Sequence, residues 1–234
     1  VFSFRQHKFH TFVPSAANTD RPPVTKNGDK MTYILIFLTV AVSIVCFGNR
    51  NLASRLSMNP YAVWHRREWW RLLTHGFVHA DYTHLLVNMF VLWSFGALME
   101  RIFKIQEFAG VISDAYLTYF LLYFGGMVAA SLYDLFKRRD DPRYTSIGAS
   151  GAVSAVVFAS IFFQPLGMIY FFGVIPIPGI VFGVLYLLYE RWSARREGDR
   201  INHYAHIFGA VYGFVFPLLM SPSLIHVFLQ GFRF

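Results

Sequence analysis

The sequence predicts an all-α membrane protein in which six transmembrane helices form one bundle. Apolar side chains account for 55% of the 234 residues and aromatic side chains for 19%, which is more apolar material than a soluble domain of this size buries. Six apolar runs, each close to the length that crosses a bilayer, follow one another along the chain. No segment repeats with a fixed period, so we expect a single membrane domain over residues 31–220.

The predicted spans are separated by charged or proline-containing connections. They cover residues 31–47, 79–103, 115–136, 147–163, 178–192 and 204–220. We expect the fifth span to begin near Pro178, because proline is favoured in the first turn of a helix and disfavoured in its interior. This start leaves residues 167–175 as a short interfacial connection.

Three further segments lie outside or between the spans. Residues 1–30 are polar and contain three prolines, so we expect a flexible lead-in. Residues 49–73 combine tryptophan with arginine, which is typical of a segment lying in the headgroup region. Residues 221–234 are aromatic, and we expect them to form a short interfacial tail.

The basic residues favour a lipid partner over nucleic acid. The formal net charge is +8, but the lysines and arginines lie between the spans and do not form one stripe. Anionic lipid headgroups are therefore the expected counter-charge. The single cysteine, Cys46, cannot form an intrachain disulfide, and it carries no information about the compartment.

Few strongly polar side chains lie inside the predicted spans, and such residues are costly enough in a bilayer to be functional candidates. They are His79, His84, Asn88, Ser150, Ser154 and His206. The second, fourth and sixth spans run in the same direction, and all six side chains lie near the starts of these spans. We therefore expect the three polar sites to meet at similar depth below one membrane surface.

Ser150 lies in a run of small residues, Gly148-Ala149-Ser150-Gly151. Such a run lets two membrane helices pack closely, and a serine within it often has only a packing role. In the sixth span His206, Gly209 and Gly213 lie on one face, so that this span can press against the fourth. The pattern predicts a hydrogen bond between Ser150 and His206.

A neutral imidazole beside a hydroxyl is the minimum for nucleophilic attack on an acyl carbon. His84 and Asn88 project within about 40° of one another on a helix, so both can donate to one developing oxyanion. His79 points about 140° away from His84, and we expect it to hold the interfacial loop. Five acidic residues lie near the ends of spans, and none is expected in an apolar interior. These residues are Asp81, Glu100, Asp114, Asp134 and Glu190. The sequence therefore predicts a Ser/His dyad without a carboxylate.

These motifs resemble those of the rhomboid family of intramembrane serine proteases. The matching residues are Trp70-Arg71, His79-x4-His84-x3-Asn88, Gly148-Ala149-Ser150-Gly151 and Ala205-His206-x2-Gly209-x3-Gly213. Their order and spacing agree with the family over roughly residues 31–219. The resemblance implies a six-helix bundle without cofactor or metal, with Ser150 as nucleophile and His206 as general base. It also implies an oxyanion hole formed by the Ser150 N–H group, His84 and Asn88.

The resemblance further implies the setting in which such a protein works. Its substrates would be transmembrane segments of other membrane proteins, reached past the fifth helix or the loop after it. The expected location is a bacterial plasma membrane, with the site opening to the non-cytoplasmic side. Eight lysines and arginines lie on the side of the termini and thirteen on the other side, which is opposite to the positive-inside rule for that orientation.

One position departs from the family pattern. Some members carry an aromatic residue four positions after the nucleophile, against which the histidine packs, whereas this chain has Ser154. We therefore expect His206 to be held by a hydroxyl group or by an aromatic residue of the fifth span, such as Phe182 or Tyr186.

Other chemistries fit the sequence less well. His75, His79 and His84 point in different directions on a helix, and a His-Glu-x-x-His motif is absent, which argues against a metal site. An aspartyl protease requires two intramembrane aspartates, and a channel or transporter is disfavoured because no acidic residue is expected at mid-membrane depth. The remaining alternative is an inactive rhomboid-like protein that binds partner transmembrane helices.

Overall fold

A computed structural model of the chain describes residues 30–171, 173–196 and 201–232. Six long helices form the bundle: α1 (Lys30–Gly48), α5 (Tyr82–Phe108), α6 (Ala115–Lys137), α7 (Ser150–Phe163), α8 (Gly179–Ser193) and α9 (His203–Met220). Four of them, α1, α5, α6 and α9, are long and apolar enough to cross a membrane, and α7 is a shorter apolar helix. The prediction of an all-α membrane bundle is confirmed. The lead-in expected over residues 1–30 lies outside the described residues except for Lys30.

Helices α5 and α6 begin where an aspartate caps the first turn. The side chain of Asp81 accepts from the His84 N–H group, and Asp114 accepts from Leu117 N–H, both at 2.8 Å. The cap at Asp81 makes α5 begin at Tyr82, later than predicted. His79 therefore lies in the loop before the helix, and the prediction that it belongs to the second span is wrong.

The first loop is ordered and contains three short helices, α2 (Arg50–Leu56), α3 (Pro60–Arg66) and α4 (Arg71–Thr74). Its organising residue is Arg71, which is 8% exposed. The Arg71 guanidinium donates to the carbonyl oxygens of Ser54 and Ser57 at 2.8 and 2.7 Å and to the carboxylate of Glu68 at 2.5 Å. Arg71 thus ties α2 to the start of α4.

Helix α7 is the centre of the bundle, and every residue after Ser150 in it is buried. It packs against α9 almost backbone to backbone, because a Cβ atom at Gly209 or Gly213 would lie only 2.1 Å from Gly151 O or 2.0 Å from Ala155 O. On its other side, a Cβ at Gly151 would meet the Ala130 methyl group of α6 at 2.3 Å. The small-residue interface predicted between the fourth and sixth spans is therefore present.

Helix α1 is attached to the bundle through a buried carboxylate. Glu100, 0% exposed in α5, accepts from the backbone N–H groups of Met31 and Thr32 at 2.9 and 3.0 Å and from the Thr32 hydroxyl at 2.8 Å. A carboxylate at the first turn satisfies donors that have no partner within the helix. Glu100 thus lies level with the start of α1, near a span end as expected, but its side chain is fully buried.

The connection between α7 and α8 is an antiparallel hairpin. Strands β1 (Met168–Phe171) and β2 (Ile175–Pro178) pair from Met168 opposite Pro178 to Phe171 opposite Ile175. Both strands of a two-stranded sheet are edge strands, and edge strands tolerate proline although it has no N–H group to donate. The sequence predicts a short connection here without indicating its strands, and the start of the fifth helix just after Pro178 is confirmed.

The C-terminal tail contains α10 (Ile225–Gln230) after a short 3₁₀ turn at Pro222–Leu224. It folds back on the bundle, since the Phe228 ring stacks on Phe162 of α7 with 5.2 Å between ring centroids.

Candidate active site

Ser150 is the first residue of α7, three residues later than the predicted start of this span. Gly148 explains the difference, since its φ of +115° lies outside the helical region and is open chiefly to glycine. A Cβ atom at this position would also lie 2.7 Å from the ring of His84. The segment before Ser150 is fixed by hydrogen bonds from Gly148 N to His75 O at 3.0 Å and between Met58 and Ser146.

The side chains of Ser150 and His206 are hydrogen-bonded, with 2.8 Å between Ser150 Oγ and His206 Nε2. His206 lies in the first turn of α9, and the ring of His84 in the first turn of α5 lies against Gly148. The starts of α5, α7 and α9 therefore converge, as the direction of the spans predicts. The pair has the geometry that nucleophilic attack by the serine requires.

A carboxylate completes this arrangement, contrary to the expectation of a dyad alone. Glu190 of α8 is 4% exposed, and its Oε1 atom lies 2.9 Å from His206 Nδ1. Its second oxygen, Oε2, lies 2.5 Å from Nδ1 of His203. The sequence places Glu190 near a span end, but the packing of α8 on α9 buries it.

Tyr186, one turn before Glu190 on α8, holds the other side of His206. The two rings are stacked, with 6.4 Å between centroids and 28° between planes. The Tyr186 hydroxyl lies 2.9 Å from Ser154 Oγ. An aromatic residue of the fifth span and the Ser154 hydroxyl thus hold His206 together, and Phe182 stacks on the far side of Tyr186.

His84 and Asn88 lie one turn apart at the start of α5. The Asn88 amide donates one hydrogen to His84 O at 2.9 Å and is 6% exposed, and its second hydrogen can serve another acceptor. The structure brings His84 next to the residue that precedes Ala149 and Ser150. Their role as oxyanion donors remains a prediction.

His79 anchors the loop before α5, the part expected of it. Its Nδ1 atom lies 2.9 Å from Ser43 Oγ of α1, and its Nε2 atom accepts from Ala149 N–H at 3.4 Å. Both bonds fit one neutral tautomer with the proton on Nδ1. Burial, reinforced by the nearby His84, lowers the pKa of His79 to about 3, and burial lowers the pKa of His75 to about 4.

Trp70 is the one predicted site residue that the structure keeps at the surface. Its side chain is 53% exposed, whereas that of the adjacent Arg71 is buried. In the Trp70-Arg71 motif, the ordering of the first loop therefore comes from the arginine.

Two supporting residues were not found from the sequence. Asn202 caps α9 by accepting from Ala205 N–H at 3.1 Å, and its amide donates to the buried carboxylate of Asp134 at the end of α6. This contact fixes the turn that carries His206. The signal was available, because asparagine directly before an apolar helix is a favoured cap.

A small cavity of about 20 Å³ lies beside Ser150, lined by polar groups that include Ser131, Ser146 and Asn202. A space of this size holds about one water molecule when polar partners line it.

Glu190, His203 and His206 also offer three atoms within 4.8 Å of one another that could ligate a metal ion. The same atoms already form the hydrogen bonds described above, and these bonds account for the cluster without an ion.

A comparison with protein families identifies the fold. The model of the Rhomboid domain matches residues 66–223, which is more than half of the chain. The chain belongs to the rhomboid family. The match runs from the last residue of α3 to the C-terminal tail, and it includes every polar side chain of the site described above.

The curated relatives of this rhomboid include mitochondrial and bacterial proteins. It is 30% identical to Rhomboid-like protein 12, mitochondrial, of Arabidopsis thaliana over 59% of this chain and 43% of the relative. It is 27% identical to Rhomboid protein 1, mitochondrial, of Saccharomyces cerevisiae over 65% and 42%. It is 34% identical to Rhomboid protease GluP of Bacillus subtilis over 37% and 14%. The chain thus spans about two fifths of the length of the two mitochondrial relatives.

The comparisons support an integral membrane protein of a family that includes serine proteases. The presence of mitochondrial relatives leaves the expected bacterial plasma membrane as a proposal.

Proposed function

We propose that this rhomboid is an intramembrane serine endopeptidase, with Ser150 as nucleophile and His206 as general base. The observation that carries the proposal is the 2.8 Å contact between Ser150 Oγ and His206 Nε2, formed between the starts of two buried helices. A packing role for Ser150 does not require an imidazole as its partner.

In the first step Ser150 Oγ bonds to the acyl carbon of the scissile peptide while its proton moves to His206 Nε2. The protonated His206 then gives this proton to the leaving amine as the carbon–nitrogen bond breaks. An acyl-enzyme on Ser150 remains. A base so placed contributes on the order of 10²–10⁴ in rate.

The oxyanion of the tetrahedral intermediate is stabilised by the start of α7 and by α5. Backbone N–H groups in the first turn of α7, including that of Ser150, have no partner within the helix, and the helix dipole adds positive potential there. We assign the side chains of His84 and Asn88 as further donors. Each such donor is worth about 3 kcal/mol in comparable sites.

Hydrolysis of the acyl-enzyme requires water in an apolar bundle. The cavity lined by Ser131, Ser146 and Asn202 lies beside Ser150 and can hold a water molecule with which the acyl-enzyme is supplied in the second step. The products are a carboxylate on one substrate fragment and the regenerated serine hydroxyl.

The substrates are membrane proteins whose transmembrane segments contain an unwound stretch of small residues. Carbonyl groups of an intact helix in lipid are already hydrogen-bonded and shielded from attack. For the location we propose a bacterial plasma membrane, with the site opening to the non-cytoplasmic side.

The test uses the purified protein in detergent with a fluorophosphonate probe and a model transmembrane substrate. We expect the probe to label Ser150, and Ser150→Ala and His206→Ala each to abolish labelling and cleavage. Ser160→Ala is the matched control, since this buried serine lies on the same helix and bonds to Val157 O. Cleavage that persists in the Ser150→Ala protein would reject the proposal and favour an inactive helix-binding member of the family.

A further inference from the structure

The strongest observation that the proposed dyad does not use is the buried carboxylate of Glu190. Both of its oxygens face an imidazole nitrogen, at 2.9 Å for His206 and 2.5 Å for His203. The side chains of Glu190 and His203 are 5% and 4% exposed, and that of His206 is 15% exposed. A buried carboxylate is costly without partners, and here two ring N–H groups supply them.

The bond to Nδ1 decides which nitrogen of His206 is the base. A carboxylate can only accept, so His206 must donate its Nδ1–H to Glu190. In the neutral ring the other nitrogen, Nε2, then has no proton and accepts from Ser150. Without Glu190 the proton can move to Nε2, where it would block proton transfer from the serine.

We infer that Glu190 is a positioning residue for this reaction, and that His203 holds it in place, so that the site works as a His203–Glu190–His206–Ser150 relay. The inference rests on the proposed protease function and deepens it. Glu190 fixes the tautomer and orientation of His206, and it stabilises the imidazolium formed when Nε2 takes the serine proton. Glu190 stays ionised throughout, and the proton on Nδ1 stays on His206.

Because the carboxylate of Glu190 lies on α8, the relay depends on the position of this helix. Tyr186 and Glu190 are four residues apart on this helix and approach the same ring, one by stacking and one by hydrogen bonding. The alignment of His206 therefore depends on α8 being docked against α9. A substrate that displaces α8 without replacing these contacts would leave the base misaligned.

The decisive variant is Glu190→Gln, which keeps the size of the side chain and removes its charge. We expect kcat to fall on the order of 10²–10⁴-fold, as for loss of the carboxylate in other serine proteases, with KM within about twofold because no substrate contact is lost. Glu190→Asp should recover part of kcat. His203→Gln should lower kcat by about 10–100-fold, the effect typical of a residue one contact removed.

Glu100→Gln is the matched control. Glu100 is an equally buried glutamate that contacts the start of α1 and lies about four turns along α5 from His84. We expect this variant to lose thermal stability and to keep its kcat. A merely structural Glu190 would behave in the same way as Glu100.

A second readout does not depend on cleavage. In protein labelled with ¹⁵N at histidine, the ring shifts of His206, assigned with the His206→Gln variant, report which nitrogen carries the proton. We expect Nδ1–H in the parent protein and a mixture of the two tautomers in Glu190→Gln. Unchanged shifts together with a kcat like that of Glu100→Gln would overturn the inference.

The two measurements separate this inference from the proposed function. If Ser150→Ala still cleaves, the protease proposal fails, while the tautomer of His206 continues to test Glu190. If Glu190→Gln does not fold, His203→Gln and Glu190→Asp carry the same comparison. A His203→Gln protein with parental kcat and parental His206 shifts would remove His203 from the relay.

Discussion

At the scale of single residues, the site depends on side chains that are fixed in one protonation state or in one orientation of their hydrogen-bond donors. Asn88 is an example, since its amide is oriented by the bond to His84 O while a second hydrogen of the same group remains able to donate. A backbone carbonyl thus sets the direction of a side chain that we assign to the oxyanion.

Replacing Asn88 by alanine should lower kcat by about 10²–10³-fold with little change in unfolding temperature, because one oxyanion donor is lost. Turnover of a model substrate and thermal unfolding in detergent measure the two effects. The control is Ser94→Ala, which removes a comparable bond to Phe90 O on the same helix without touching the site. Equal turnover in the two variants would contradict the assigned role.

The neutral state of His75 and His79 makes the fold sensitive to acid. Burial lowers their pKa values to about 4 and about 3 from 6.5, so below pH 6.5 the unfolded chain binds protons that the folded chain does not. With respect to these two histidines, the folded state is most stable above pH 6.5. The free energy of unfolding decreases as the pH falls from 6.5 towards their pKa values in the folded state. Each group should add a slope of about 1.4 kcal/mol per pH unit.

The measurement is the free energy of unfolding in detergent between pH 7.5 and 5. We expect His79→Gln to flatten the acid slope, and the exposed His226→Gln to leave it unchanged. A parental slope in His79→Gln would mean that His79 does not set this dependence.

Residues that are unusual for their span could be recognised from the sequence, whereas the roles of Glu190, Asn202 and Asp134, which are ordinary for their positions, were missed. Ser150, His206, His84 and Asn88 stood out because polar groups are rare in apolar helices. Glu190 did not, because charged residues are common at helix ends. Its burial depends on how α8 packs on α9, and only its spacing of four residues from Tyr186 pointed towards a shared face.

At the scale of elements, the pairing of α7 with α9 sets the distance between nucleophile and base. Gly209 and Gly213 allow the two backbones to touch, and His206 lies one turn before Gly209 on the same face. The glycines could be recognised from the sequence as a packing stripe. The contacts they make with backbone carbonyls could not.

Gly209→Ala should separate α7 from α9, because its Cβ would lie 2.1 Å from Gly151 O, which cannot move as a flexible side chain does. Overpacking of this kind costs about 1–3 kcal/mol, and labelling of Ser150 by a fluorophosphonate should slow at the same time. Gly48→Ala is the control, since a Cβ there meets nothing within 4 Å. The idea is wrong if the two variants unfold and label alike.

The pairing of β1 with β2 is a feature that could not be predicted from the sequence. The sequence places the start of the fifth span near Pro178, and α8 begins one residue later. Pro176 and Pro178 both lie in β2. That they would pair with Tyr170 and Met168 as a strand depends on the distance between the ends of α7 and α8, which the local sequence does not encode.

At the scale of the whole molecule, α1 lies outside the segment matched by the family model and yet is fixed to it at two points. Glu100 holds its first turn. The Ser43 hydroxyl donates to Phe77 O at 2.8 Å and lies 2.9 Å from His79 Nδ1. The second point leads from α1 through His79 to Ala149, directly before the nucleophile.

Ser43→Ala should therefore affect the site from a distance, because His79 loses the partner that fixes its ring. We expect a severalfold fall in kcat together with a lower unfolding temperature, measured as above. Ser57→Ala, which removes a bond to Ala53 O within the first loop, serves for comparison. A purely thermal effect in Ser43→Ala would restrict α1 to a supporting role.

The length of α8 has a consequence for the surrounding lipid. Its 15 residues extend about 22 Å, against a hydrocarbon thickness of about 30 Å, and Val184, Leu185 and Leu188 are all more than half exposed. Acyl chains beside this helix must shorten or tilt to match it. We expect a thinner bilayer beside α8, and headgroups and water would then lie closer to the peptide bonds of a transmembrane helix that approaches this side.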